Sequence, residues 1–191
     1  MEQLENIDDW DEVASEGGPL IFMPNAAMKD WDGARPSKPP KHVSATFRYA
    51  DANAPATDYD RACDVSGYLC VIHVGDHEAL VIGDEPSSTT LVRSKSGRSL
   101  LIAKWDYGPD SASVVASMAS IDLRDFPAAE LSLRLTTSPQ AIFDSGAPGD
   151  KVDRFLKASL PPGVYDVSTL EFRPTSDISL VLHWLRPSKH V

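Results

Sequence analysis

Apolar residues in this chain come in short runs punctuated by Gly, Pro, Asp and Ser, and only one stretch has the spacing of a helix longer than a turn. Leu20-Ile21-Phe22-Met23, entered from Gly17-Gly18-Pro19 and closed by Pro24, predicts a buried strand. The clearest signal is a hairpin. Tyr68-Leu69-Cys70-Val71-Ile72-His73-Val74 is apolar on both faces, Gly75-Asp76 is a tight-turn dipeptide, and Glu78-Ala79-Leu80-Val81-Ile82 returns. Strands apolar on both faces are expected in the centre of a sheet, and a two-residue loop sets His73 opposite Glu78. Residues 89–95 and 99–105, with Gly97 between them, predict a second hairpin whose Arg and Lys side chains lie toward the tip or the solvent face. Later, Leu131, Leu133 and Leu135 alternate with Ser132, Arg134 and Thr136, the pattern of a strand wet on one side. Strands at 141–144, 155–160 and 164–172 follow, the last entered through Pro161-Pro162-Gly163, and Ile178, Leu180, Leu182 and Trp184 mark a final one. The helical spacing belongs to Val114, Val115, Met118 and Ile121, with Asp110 as its cap, which predicts one main helix over about 110–121. A single helical turn is expected at 26–31.

Eight to eleven short strands and one helix predict a mostly β protein, a β-rich α+β chain whose antiparallel sheets pack as a sandwich. Parallel winding is disfavoured, because the crossover helices it needs are missing. The expected organisation is a mobile acidic arm over 1–16, then a single β-rich domain over 17–191. Within that domain, 34–57 carries Pro36, Pro39, Pro40 and Pro55 and reads as an excursion, with a strand possible only at 42–49. At 191 residues the chain is long enough to bury a core without disulfides or a metal. Cys63 and Cys70 match neither a redox pair nor a zinc spacing and are expected to be reduced and buried. The first residues have no basic segment followed by an apolar one, and no apolar run approaches a membrane span, so a cytoplasmic location is expected.

Charge changes this picture. The net charge is −10, and it is concentrated. Residues 1–16 hold seven carboxylates and no Lys or Arg, and residues 51–85 hold eight carboxylates against Arg61 alone. Residues 86–105 are the reverse, with Arg93, Lys95, Arg98 and Lys104 and no acid. Such a chain is repelled by nucleic acid and by anionic membranes, and a focused negative field speeds encounter with a cationic partner.

Motifs that carry chemistry are scarce. There is no G-x-S-x-G and no phosphate-cradling glycine loop. His73 and His77 are four apart but separated by a turn, which spoils metal ligation from one helix face. Asp30-Trp31-Asp32-Gly33 opens like a calcium loop and lacks its later ligands. No catalytic, metal or cofactor residues are therefore assigned, and no cofactor or small-molecule substrate is expected. The residues expected at a partner surface are Asp58, Asp60, Asp76, Glu78, Asp84 and Glu85, with Trp31 as an aromatic anchor on an irregular, exposed segment. Trp10 shares that expectation, whereas Trp105, Tyr107 and Trp184 are expected in the core or at its rim. Two further readings compete: a β-rich adaptor or scaffold, and a hydrolase using His73 with Glu78 or the Asp58/Asp60 pair.

Four blocks occur in order: Gly17-Gly18-Pro19-Leu20-Ile21 with Pro24, Trp31 and Gly33; Asp58-Tyr59-Asp60-Arg61-Ala62-Cys63; Gly67-Tyr68-Leu69 running to Val74-Gly75; and Glu78-Ala79-Leu80-Val81-Ile82-Gly83-Asp84-Glu85-Pro86 with Thr89-Thr90. Together they resemble immunity protein family 21 of bacterial polymorphic toxin systems over about 17–91. Beyond that the likeness is faint, chiefly Trp105-Asp106-Tyr107 and the Pro-Gly-x-Tyr pattern at 162–165. The acidic arm and the Pro-rich excursion depart from the pattern. The resemblance implies a cytoplasmic antidote that binds and neutralises a cognate toxin domain encoded by a neighbouring gene. Acidity adds the expectation that the toxin is basic, of nuclease type.

Overall fold

The computed structural model describes residues 11–15, 17–34, 56–83 and 88–189. Among the described residues ten strands form two antiparallel sheets. The first contains β1 (Leu20–Pro24), β2 (Leu69–Val74), β3 (His77–Ile82), β7 (Gln140–Asp144) and β8 (Phe155–Ala158), in the order β2-β3-β1-β7-β8. The second contains β4 (Ser88–Arg93), β5 (Leu100–Tyr107), β6 (Leu131–Leu135), β9 (Gly163–Thr175) and β10 (Ile178–Pro187), in the order β4-β5-β10-β9-β6. The mostly β, antiparallel architecture read from the chain is the one observed. Both hairpins are present, and His73 pairs with Glu78 in register.

Alternation along the strands assigns the core. Leu20, Phe22, Leu80 and Ile142 of the first sheet meet Leu100, Ile102, Leu133, Tyr165 and Leu185 of the second in one buried cluster between the sheets. The intervening residues of the first sheet, Ile21, Met23, Ala79, Val81 and Phe143, point outward and are buried all the same. They are covered by the 3-10 turn Asn25–Asp30, by Trp31 and by a short helix, α1 (Asp58–Cys63). On the outer face of the second sheet, Leu101, Ala103, Leu180 and Leu182 are buried under Val114, Met118 and Phe126, from α2 (Ser111–Met118) and the segment after it. Burial on both faces explains why 20–23 and 79–82 read as unbroken apolar runs.

Asp110 caps α2 by accepting from the backbone N of Ser113 at 2.8 Å. The helix is shorter than the expected 110–121, because Ala119 and Ser120 close it with 3-10 hydrogen bonds. α1 was not anticipated from the sequence. Its signature is a capping box: the Thr57 hydroxyl accepts from Asp60 N at 3.1 Å, and the Asp60 carboxylate accepts from Thr57 N at 2.8 Å.

Four expectations are corrected. Residues 11–15, assigned to an acidic arm, are held against the sheet: Val13 bridges Thr89 by two backbone hydrogen bonds of 3.0 and 2.9 Å and is buried. β2, expected in the middle of a sheet, is an edge strand. Lys104, expected toward solvent, is 4% exposed, because it shares the inward face of β5 with Leu100 and Ile102, between the sheets. Cys63 is exposed and Cys70 half-buried, both free. Most of the arm, the excursion apart from Ala34, Ala56 and Thr57, and the strand considered at 42–49 lie outside the described residues.

Candidate partner-binding surface

The described part of the acidic stretch, residues 56–83, folds into α1, the β2-β3 hairpin and the loops between them. Residues 56–83 contain Asp58, Asp60, Asp64, Asp76 and Glu78 against Arg61. Each carboxylate has its own environment. Asp58 is buried, accepts from Asp32 N at 3.2 Å and forms an ion pair with Arg61 one helical turn on. That arrangement fastens α1 to the 31–33 loop. Asp60 is the second half of the capping box. Asp64, at the C-cap of α1, and Asp76, in the hairpin turn, are exposed. Asp84 and Glu85 lie outside the described residues.

Glu78 reaches across the sandwich. Its Oε2 accepts from the backbone N of Arg134 on β6 at 2.6 Å, and beside it His77 Nδ1 lies 2.7 Å from Thr136 Oγ1. The tip of one sheet's hairpin is thereby tied to the edge strand of the other. Glu78 is in register with His73, but its hydrogen bond goes to a main-chain amide, so its carboxylate is spent on structure instead of orienting the imidazole. Asp58 and Asp60 are likewise occupied by separate partners, and this arrangement does not supply a cooperating acid and base.

Trp31 is corrected. It is 1% exposed, with its indole N–H donating to Ser145 O at 2.9 Å and its ring edge-on to Phe143 at 6.0 Å. The 31–33 loop is pinned on its other side by Gly149, whose N donates to Trp31 O at 2.9 Å. A Cβ on Gly149 would lie 1.6 Å from Met28 O, so only glycine lets these two backbones approach. The exposed large hydrophobic side chain among the described residues is Tyr107, 49% exposed at the end of β5, where a core or rim position was expected. Trp184 keeps to the expected core, with the Arg186 guanidinium over its ring at 4.7 Å. Trp10 lies outside the described residues.

On α1, the Tyr59 hydroxyl is pushed up to about 12, first by its hydrogen bond to Cys63 and then by burial, and burial raises the Cys63 thiol as well. Both groups are neutral at physiological pH, so this thiol lacks the lowered pKa of a nucleophile. His183 is enclosed between the sheets, 3.2 Å from Thr169 Oγ1 through Nδ1, and its imidazole is lowered to about 3 by burial, with the Lys104 charge adding to the effect. Among the described residues its Nε2 has no hydrogen-bond partner. No three His, Cys, Asp or Glu among the described residues are grouped to hold a metal ion, and no helix among them is long and apolar enough to cross a membrane.

The class so defined is a two-sheet antiparallel β protein that presents an ordered acidic hairpin beside a short capped helix. The family model described as Immunity protein 21 matches residues 9–178, most of the chain, and the chain belongs to that family. No curated protein and no solved structure matches it.

Proposed function

We propose that this chain is a cytoplasmic immunity protein that binds one cognate polymorphic toxin domain stoichiometrically and neutralises it, turning over no substrate. Membership of the immunity protein 21 family over residues 9–178 is the observation that carries this reading. The scaffold supports it. Among the described residues the acidic β2-β3 hairpin is built into a five-stranded sheet, and an interface formed on such a scaffold costs less ordering entropy than one formed by an unfolded segment. The toxin is read as basic and of nuclease type, because a concentrated anionic surface resembles the charge of a nucleic acid and steers a cationic protein toward it. Asp76 is the exposed member of the surface within the hairpin, and Asp84 and Glu85 follow β3 in sequence after Gly83.

The test is co-expression with the toxin domain encoded by the neighbouring reading frame. Rescue of growth together with a one-to-one complex is expected. Toxicity undiminished by the chain, with no complex, would refute the reading. Reversal of charge at Asp84 and Glu85 is expected to slow association more than it accelerates dissociation, and raised salt should act in the same direction.

A further inference from the structure

Among the described residues four strands end the two sheets, and three of them are tied. β4 carries the bridge to Val13, β6 has its Arg134 amide taken by Glu78, and β8 is linked to β4 through Arg93 Nη2, which donates to Lys157 O at 2.9 Å. β2 differs. The two-residue turn Gly75-Asp76 makes Val74 and His77 a hydrogen-bonded pair, and the register Cys70↔Val81, Ile72↔Ala79 continues it toward the bond from Gly83 N to Tyr68 O at 2.8 Å. The alternate residues Leu69, Val71 and His73 therefore turn their N–H and C=O groups away from β3. Among the described residues none of these three amide donors meets an acceptor, and only the Cys70 thiol approaches one of the carbonyls, Val71 O at 3.5 Å.

An edge of this kind is unusual in a second respect. Leu69–Val74 contains no Lys, no Pro, no acidic residue and no bulge, the devices that keep an edge strand from pairing with another chain. Its side chains are half-buried along most of its length, with His73 exposed. This is the apolar pattern that predicted a central strand, placed where, among the described residues, no further strand follows.

The geometry points to the outer edge of β2 as the docking line for an extended strand of a cationic partner protein, which adds to the first sheet by main-chain hydrogen bonds. This rests on the inhibitor reading and names the element that makes the contact. Charge selects the occupant. The flanking turn and helix carry exposed Asp76 and Asp64, and residues 56–83 hold five carboxylates against one arginine. A second copy of this chain would bring the same charges to the edge, and each copy carries a net −10, so self-pairing is opposed where a basic strand is attracted. Main-chain bonds supply the affinity, and the alternating side chains of the incoming strand meet Cys70 and Ile72 on one face of the sheet and Val71 on the other.

Amide hydrogen exchange of the full chain tests this, free and in complex with the toxin domain whose growth defect it relieves. In the free chain the amides of Leu69, Val71 and His73 are expected to exchange fast, and in the complex to be protected at least about tenfold. His73→Pro removes one outward donor without touching the β2-β3 ladder and is expected to weaken binding about tenfold while its melting temperature stays near that of the parent. A neutralising complex in which those three amides exchange as in the free chain would overturn the edge assignment and leave the inhibitor reading standing. Protection in the free chain overturns it as well, through self-pairing if the protection rises with concentration. With no complex and no rescue, the inhibitor reading falls and the edge assignment with it.

Discussion

Replacing Trp31 with alanine separates a core residue from a surface anchor. The side chain is 1% exposed, touches Phe143 edge-on and donates its indole N–H to Ser145 O. Truncation removes a large buried ring, which costs about 3–5 kcal/mol where the surroundings cannot collapse. Collapse is resisted here, because the loop carrying Trp31 is fixed by Gly149 N and by the Asp58 carboxylate on Asp32 N. Trp31→Phe keeps most of the ring contact and leaves Ser145 O without this donor, at about 1–2 kcal/mol. Urea unfolding, with the slope of free energy against denaturant checked for constancy, measures both. In a thermal melt the alanine variant should fall by roughly 6–20 °C for a chain of this length. Were both variants within about 0.5 kcal/mol of the parent, as surface substitutions are, the account of Trp31 as the peg of the outer layer would be wrong.

Gly149→Ala places a methyl 1.6 Å from Met28 O, so the 3-10 turn and its neighbour must separate; a loss above about 3 kcal/mol in urea, or failure to accumulate folded protein, is expected. The imidazole of His183 is held at about 3 in the folded chain against an ordinary 6.5, so the unfolded chain takes up its proton first. Its contribution to stability is whole above pH 6.5 and drains as pH falls toward 3, with a slope of up to about 1.4 kcal/mol per pH unit; His183→Asn should flatten the measured slope between pH 6 and 4 by about that amount. Lys104 is buried with its ammonium 3.4 Å from Gly83 O and no ion-pair partner among the described residues, so Lys104→Met is expected to stabilise the fold by about 1–3 kcal/mol in urea, and a loss of stability would show that the charge is better solvated than its burial implies. Glu78→Ala frees the Arg134 amide and should cost about 1 kcal/mol, read from the urea midpoint.

The hairpin was legible because every signal that fixes it is local: the turn dipeptide sets the loop length, the loop length sets the parity, and the parity put His73 opposite Glu78. Rank within the sheet is a long-range property, and β2 was misplaced for that reason. Burial on both faces makes a strand apolar whether or not a second neighbour exists. Trp31 failed differently. Its flanks, Asp30, Asp32 and Gly33, look solvated, but Gly33 and Asp32 serve backbone contacts with 147–148 and with Asp58 that lie far off in sequence. α1 did leave a local trace, the Thr57 hydroxyl followed three residues later by Asp60, and the neighbouring Pro55 obscured it. Lys104 left only half of one: sharing a strand face with Ile102 marks it as inward, and only the depth of the opposing sheet decides whether a long side chain there reaches water.

Counting carboxylates measures a field and says little about contact. Asp58 is neutralised at close range by Arg61, whereas the hydrogen bonds that place Asp60 and Glu78 come from backbone amides, which bring no countercharge of their own. A group of the second kind is committed geometrically yet still projects its potential, which at physiological ionic strength persists over about 8 Å. Under the inhibitor reading these residues pull a basic partner in without touching it, and the contacts that hold it must come from elements whose hydrogen bonds are not already spent. Among the described residues the edge of β2 meets that condition, and exposed Asp64 and Asp76 lie in the segments that flank it. Attraction and grip are then divided between different groups of one scaffold, so the acids that Coulomb steering uses best are poor choices when looking for residues that slow dissociation.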